Sequence, residues 1–335
     1  MWDSTLRGDL GGILGSLRSS LAVSTYQSGR IVLIRNQGDV VNTHLRSMRG
    51  PMGMAYRKGT LAVGTHNQVK IYRNLASAAA NIEPAGSHDA CLVPMRAIYT
   101  GDLRIHDVAW AGGELWAVAT RFSHLVTFDA ERSFVPRWKP PFVTALTAED
   151  RCHLNGLCVV DDEVRYVTAL GISDTAGGWR EDKARGGVIM DVTTSEIVAS
   201  GLSMPHSPRW HDGQLWFCES GEGSLARVDP ATGEVTTIAS LPGFTRGLSM
   251  VGPLAFVGLS QVRESSTFGG LPLTSRLDRR QSGLAVVHIE TGEVLASLAF
   301  DDQIQEIFEV TVLPGMSYPE LAEDDSPLVD NSFYL

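Results

Sequence analysis

The chain has 335 residues and is 43% hydrophobic, enough to bury a large core. Charged residues make up only 20% and glycines number 34, a balance that suits a turn-rich β protein. The net charge of −10 argues against nucleic-acid binding, which needs a basic face, and no run of about 18 apolar residues exists, so no membrane span is expected.

Residues 1–20 lack a basic-then-apolar leader pattern and are expected to form a short helical or looped cap. Three strands follow at 21–26, 30–35 and 41–46. The next unit is a strand, a tight turn and a second strand: Met52-Gly53-Met54-Ala55-Tyr56, then Gly59-Thr60-Leu61-Ala62-Val63. The same unit recurs from His106 to Trp116, from Asn155 to Val164, from His206 to Trp216 and from Thr245 to Phe256. A period of about 50 residues signals a propeller. Residues 204–242 show one complete blade, with strands at 208–211, 215–219, 224–229 and 235–240. A four-stranded blade cannot bury both faces alone, so it needs neighbours on each side.

Residues 307–313 (IFEVTVL) read as a sixth inner strand, yet only a Pro-containing, acidic tail follows. The three N-terminal strands supply what is missing. The expectation is an all-β, six-bladed β-propeller over residues 21–318, its last blade made of one C-terminal and three N-terminal strands. Such closure removes exposed sheet edges. Residues 319–335 are left as an acidic tail. Trp110, Trp116, Trp210 and Trp216 fall where neighbouring blades should pack. The four cysteines form no C-x-x-C pair, which suggests a reduced, cytoplasmic protein in which Cys158 and Cys218 only pack.

Propeller topology sends the start of every inner strand, and every loop between second and third strands, to one end of the channel. His106 and His206 occupy equivalent positions there. His153 lies two residues before its equivalent, which is Asn155. Arg246 and Glu306 take similar places in the last two blades, and short turns add Arg121 and Glu219. Three long segments open at the same end: 139–152, 171–186 (with Trp179, Arg180 and Lys183) and 261–282 (with Arg263 and Glu264). Long loops in a compact domain often carry function. Another interruption, 74–93, contains His88-Asp89-Ala90-Cys91, placed at the opposite face or outer rim.

Two readings of the mouth stand side by side. Three histidines from three blades can hold one divalent transition metal, Zn, Fe or Cu. They can equally hydrogen-bond strand ends and water in a polar channel. The arginines suit a small anionic ligand, or form salt bridges that tie down loops.

DRCHLNGL (150–157), DTAGGWREDKARGG (174–187), MPHSPRWH (204–211), GFTRGL (243–248) and GLSQVRESSTFGGLP (258–272) resemble the motifs of a functionally uncharacterised bacterial family of propeller-like proteins. The resemblance runs from about Leu21 to Tyr318 and implies the fold and the mouth, but no activity. One departure is Ile105-His106-Asp107, where the family motif is expected to read I-H-E. More distantly the blades look like those of NHL and gluconolactonase-type propellers. Enzymes of that group are metal-dependent hydrolases or lyases, among them an amidating lyase with three blade histidines on zinc.

The expectation is therefore a metal-dependent hydrolase or lyase, or an oxygenase. His106, His153 and His206 would be its ligands. Glu306, Glu219 and Arg246 are the candidate catalytic groups. Arg121, Asn155, Trp179, Arg180, Lys183, Arg263 and Glu264 would contact a small anionic molecule or peptide. A non-catalytic propeller that binds such a ligand is the alternative.

Overall fold

The computed structural model describes residues 4–38, 40–262, 269–300 and 303–333. Its strands form six sheets, each an antiparallel blade of four core strands. The inner strands of blades 1 to 5 are Met54–Arg57, Ile105–Ala111, Leu154–Val160, Pro205–His211 and Phe244–Val251. Blade 6 begins with Glu309–Pro314 and is completed by Ser19–Thr25, Arg30–Gln37 and Val40–Ser47. Leu21 pairs with Val312 and Val23 with Val310. The ring therefore closes as the sequence predicts.

Each terminus also reinforces a neighbour of the closing blade. Ser4–Gly8, within the expected N-terminal cap, adds a fifth strand to the outer edge of blade 5. Pro319–Leu321, at the start of the expected tail, adds a parallel fifth strand to blade 1. The Asp89 carboxylate accepts the amides of Ser317 and Tyr318, and the His88 ring packs on Tyr318. The 88–91 segment is thus a latch for the C-terminal strand, on the outer rim.

Six apolar clusters of the core lie one between each pair of neighbouring blades. Between blades 3 and 4, for example, Ile189 and Leu202 pack on Leu215 and Phe217. Phe217 and Phe256 are fully buried, and each such side chain contributes about 1.5–3 kcal/mol. Trp216 is buried in the cluster between blades 4 and 5, and Trp110, Trp116 and Trp210 flank three others. Cys91, Cys152, Cys158 and Cys218 are buried free thiols, and burial pushes each pKa up to about 12. They pack and do not react at neutral pH.

The channel axis is polar and tightly bound. Arg209 of blade 4 donates to Asp107 of blade 2 and to Glu309 of blade 6, both at 3.0 Å. Its Nε donates to the Leu248 carbonyl of blade 5. Asp107 also accepts the Leu157 amide of blade 3, and Glu309 accepts that of Leu248. One guanidinium and two carboxylates thus tie five inner strands. Asp107 is the acid that departs from the expected I-H-E motif, and the shorter side chain reaches Arg209. Burial opposes the Arg209 charge, but the two carboxylates outweigh it and hold its pKa above the usual value.

The inner strands of blades 1, 3 and 5 make room for this clasp. A Cβ at Gly53 would fall 2.5 Å from Asp107 Cα, one at Gly156 2.3 Å from Pro208 Cδ, and one at Gly247 2.7 Å from the Val310 nitrogen. Removing the arginine leaves two buried carboxylates unpaired. Arg209→Met should therefore cost about 3–5 kcal/mol in urea unfolding, with partial recovery on adding Asp107→Asn and Glu309→Gln. A loss under about 1 kcal/mol would show that the clasp does not hold the ring.

Candidate functional site

Three consecutive blades enter their inner strands through a non-glycine residue in the left-handed backbone region. These are Arg104 (φ 51°), His153 (φ 50°) and Met204 (φ 50°). Each such residue carries a cost of order 1–3 kcal/mol, and such strain concentrates at functional sites. Bulges follow in the inner strands of blades 2 to 5, each of which carries one residue more than its partner there. Bulges re-aim side chains, here toward the axis.

The mouth encloses a cavity of about 240 Å³ to which every blade contributes. Blade 1 supplies Met52 and His66, and blade 2 supplies Arg104 and His106. Blade 3 supplies His153, with Asp150 and Trp179 from its flanking loops, and blade 4 supplies Met204 and His206. Phe244 and Arg246 come from blade 5, and Glu306, Phe308 and Tyr26 from blade 6. No serine, threonine, cysteine or lysine among the described residues lines it. A depression of about 500 Å³ on the flank of blade 1 is larger, but it contains no histidine and no buried charge.

The partners of the histidines fix their tautomers. Nδ1 of His153 lies 2.9 and 3.0 Å from the two oxygens of Asp150. A carboxylate only accepts, so Nδ1 carries the proton and the Nε2 lone pair is bare. Nδ1 of His206 lies 2.9 Å from the Met204 carbonyl, which again puts the proton on Nδ1. Ser220 Oγ, 2.9 Å from the same nitrogen, donates its own proton to the Thr245 carbonyl. His106 is the reverse case. Its Nδ1 is 3.2 Å from Arg246 Nη2, a pure donor, so Nδ1 accepts and Nε2 carries the proton.

Arg246 is the cation of the mouth with the least exposed side chain among the paired arginines that line it. Its guanidinium stacks 3.4 Å above the Phe308 ring centroid, and its nearest anion among the described residues, Glu306 Oε1, is 3.9 Å away. Burial lowers its pKa to about 10, partly offset by Glu306, so it stays cationic at neutral pH. Burial raises the Glu306 pKa, partly offset by Arg246. Glu306 Oε2 is buried and has no hydrogen-bond partner among the described residues. Burial, then Arg246, lowers the pKa values of His106 and His206 well below 6.5.

Asp150 sits in a braced turn. Arg104 and Arg180 approach its carboxylate at 3.7 and 3.8 Å, and the neighbouring Arg151 pairs with Asp174 and Glu149. Trp179 is only 3% exposed and packs 4.4 Å from the His153 ring, and the Arg180 guanidinium stacks on it at 4.3 Å. Around it, Leu170, Met204, Phe244, Val262, Leu271 and Leu273 form a seventh apolar cluster. Both long insertions meet there, so Trp179 pins loops as well as walling the cavity.

Of the residues expected from sequence, His106, His153, His206, Arg246, Glu306, Trp179 and Arg180 share this cavity. Arg121 stands behind it and pairs with Asp102 at 2.8 Å. Asn155 is buried, accepting from Thr168 Oγ1 and donating to the His153 carbonyl, so it braces the histidine from behind. Glu219 accepts the Ser203 amide, and neither it nor Lys183 lines the cavity. Arg263 and Glu264 lie outside the described residues. Sequence reasoning did not single out Asp150, Arg104 or Phe308. Asp150 carried a signal: an acid three residues before a histidine, at the end of a long loop.

The donor set does not fit a three-histidine metal site. Among the described residues no group of three or more His, Cys, Asp or Glu side chains is placed to hold a metal ion. His106 offers an N–H at Nε2, and the Arg246 cation covers its other nitrogen. A divalent ion there would face a fixed positive charge.

Below pH 6.5 the unfolded chain takes up protons at His106 and His206 that the folded chain refuses. Stability therefore falls as pH drops through that range. His206→Gln should make the fall from pH 6.5 to 5 shallower, read as unfolding free energy against pH. An unchanged slope would mean that His206 titrates normally in the fold.

In sequence, residues 8–322 match the model of a family described as a domain of unknown function, DUF4915. No curated protein matches the chain. Among solved structures, a chain of a nidogen/laminin complex is 9% identical, with a TM-score of 0.55 over 89% of this chain and 99% of that one. A protein of unknown function from Bacteroides caccae is 8% identical, with a TM-score of 0.55 over 88% and 98%. Both likenesses concern the fold. This chain is a member of the DUF4915 family, and its fold is a six-bladed β-propeller.

Proposed function

We propose that the channel mouth is an enzyme active site for a small carboxylate-bearing molecule, with His153 as the general base. The observation that carries this reading is the Asp150–His153 pair. A buried carboxylate holds the ring by Nδ1 and leaves Nε2 bare toward a cavity. That is the arrangement a general base needs: one nitrogen anchored, the other free to take a proton. The strained backbone at both Asp150 and His153 is consistent with a geometry kept for use rather than for stability.

Arg246 is the anchor for the ligand's anion. Its nearest countercharge, Glu306, is at 3.9 Å, so a carboxylate entering the cavity would gain a charge-assisted contact that Glu306 does not supply. Arg104 and Arg180 at the rim steer anions inward in a protein whose net charge is −10. Phe308, Phe244, Trp179 and Tyr26 supply apolar walls for the rest of the molecule. A plain binding propeller would need the anchor and the walls, but not a carboxylate-oriented imidazole.

A panel of small carboxylic acids and their neutral amides, measured by calorimetry, tests the anchor. Acids should bind more tightly than the matching amides, and Arg246→Met should weaken them by about 10- to 100-fold, the worth of one charge-assisted hydrogen bond. Equal binding of acids and amides would remove Arg246 from the role.

A further inference from the structure

We infer that the pocket moves a proton within a small 2-oxo acid, from the carbon beside the ketone to the ketone oxygen. His153 takes the carbon-bound proton and the Glu306 carboxyl supplies the one to oxygen. This inference rests on the site proposed above.

The geometry comes from the ring. His153 belongs to blade 3 and Glu306 to blade 6, so the two face the same cavity from opposite walls. Each is poised for one half of a proton transfer. His153 presents a bare Nε2, held by Asp150. Glu306 has one oxygen 3.9 Å from Arg246 and the other buried without a partner among the described residues. Burial raises the Glu306 pKa against the pull of Arg246 and the Gln27 amide, and a substrate carboxylate taken up by Arg246 would weaken that pull, so the carboxyl can carry the proton it gives. Arg246 of blade 5 stands beside Glu306 to take the substrate carboxylate. His106 directs an N–H from Nε2, a second donor for the enol oxygen.

Two competing chemistries lack their parts. Acyl transfer through a hydroxyl or thiol ester needs a Ser, Thr or Cys nucleophile, and Schiff-base chemistry needs a Lys. None of the four lines the cavity among the described residues. The aromatic walls suit a flat, conjugated body, and an enol conjugated with an aryl group is flat.

The step balances without a co-reactant. The C–H bond breaks, its proton goes to His153 Nε2 and its electron pair forms the C=C bond. The carbonyl π pair moves to oxygen, which takes the Glu306 proton. The product is the enol, leaving an imidazolium and a carboxylate that exchange protons with solvent or run the step in reverse. Nothing is oxidised and no group leaves.

Phenylpyruvate is a suitable probe, having a carboxylate, a ketone, an acidified CH₂ and an aryl ring. In D₂O the full-length protein should replace its benzylic protons with deuterium, seen by proton NMR, well above the buffer rate. His153→Gln should lower the protein-dependent rate by about 100-fold or more, and Glu306→Gln by about 10-fold or more. Calorimetric affinity should change less than about 3-fold in both, since neither anchors the carboxylate. If phenylpyruvate binds, loses affinity in Arg246→Met, but exchanges only at the buffer rate, the proton-transfer inference fails while the anion pocket stands. An unchanged rate in Glu306→Gln would remove Glu306 as the acid. No saturable binding of phenylpyruvate or of any acid in the panel would overturn both.

Discussion

The molecule turns on one half-buried guanidinium at the channel axis. Arg209 joins Asp107 and Glu309 across the channel, and through backbone partners the same three side chains reach five of six inner strands. The outer parts of the blades hold together by ordinary apolar packing, which is strong but without direction. The clasp is directional. It fixes how far blades 2 and 6 stand from blade 4, and so the width of the mouth above it. His106 is the residue before Asp107 and Phe308 the one before Glu309, so the clasp also fixes two walls of the cavity. A buried ion pair is weak evidence for net stability, because desolvation offsets its attraction. Its better-attested effect is to specify one arrangement, here one register of six inner strands around an axis.

Much of this was legible in the chain. The repeat of strand, turn and strand every fifty or so residues announced the blades, and the shortage of strands after residue 313 announced how the ring closes. Both follow from local rules: period-two alternation, turn residues and the need to cover every sheet face. Convergence of His106, His153, His206, Arg246 and Glu306 followed from topology alone, because equivalent positions on equivalent blades must meet at one end.

What was not legible depended on side-chain direction and on partners far apart in sequence. Arg209 sits inside an inner strand and its partners are about a hundred residues away on each side, so no local pattern marks it as the centre of a clasp. Asn155 looks like a mouth residue by position, yet its side chain turns back to Thr168 and to the His153 backbone. Arg121 reaches Asp102 instead of the cavity. The histidines looked alike by position, and only their partners separate them. Asp150 and Met204 leave His153 and His206 with bare Nε2 atoms, whereas Arg246 leaves His106 with a proton there. That difference sets the proposed chemistry apart from a three-histidine ligand set.

The proposed chemistry depends on Asp150 holding His153 as a base with a free Nε2. Two-dimensional long-range ¹H–¹⁵N NMR of the histidine side chains reads this directly at neutral pH. In the neutral imidazole of His153 the proton should sit on Nδ1, and Asp150→Asn should mix the two tautomers. A proton on Nε2, or a tautomer unmoved by the loss of the Asp150 charge, would overturn that assignment.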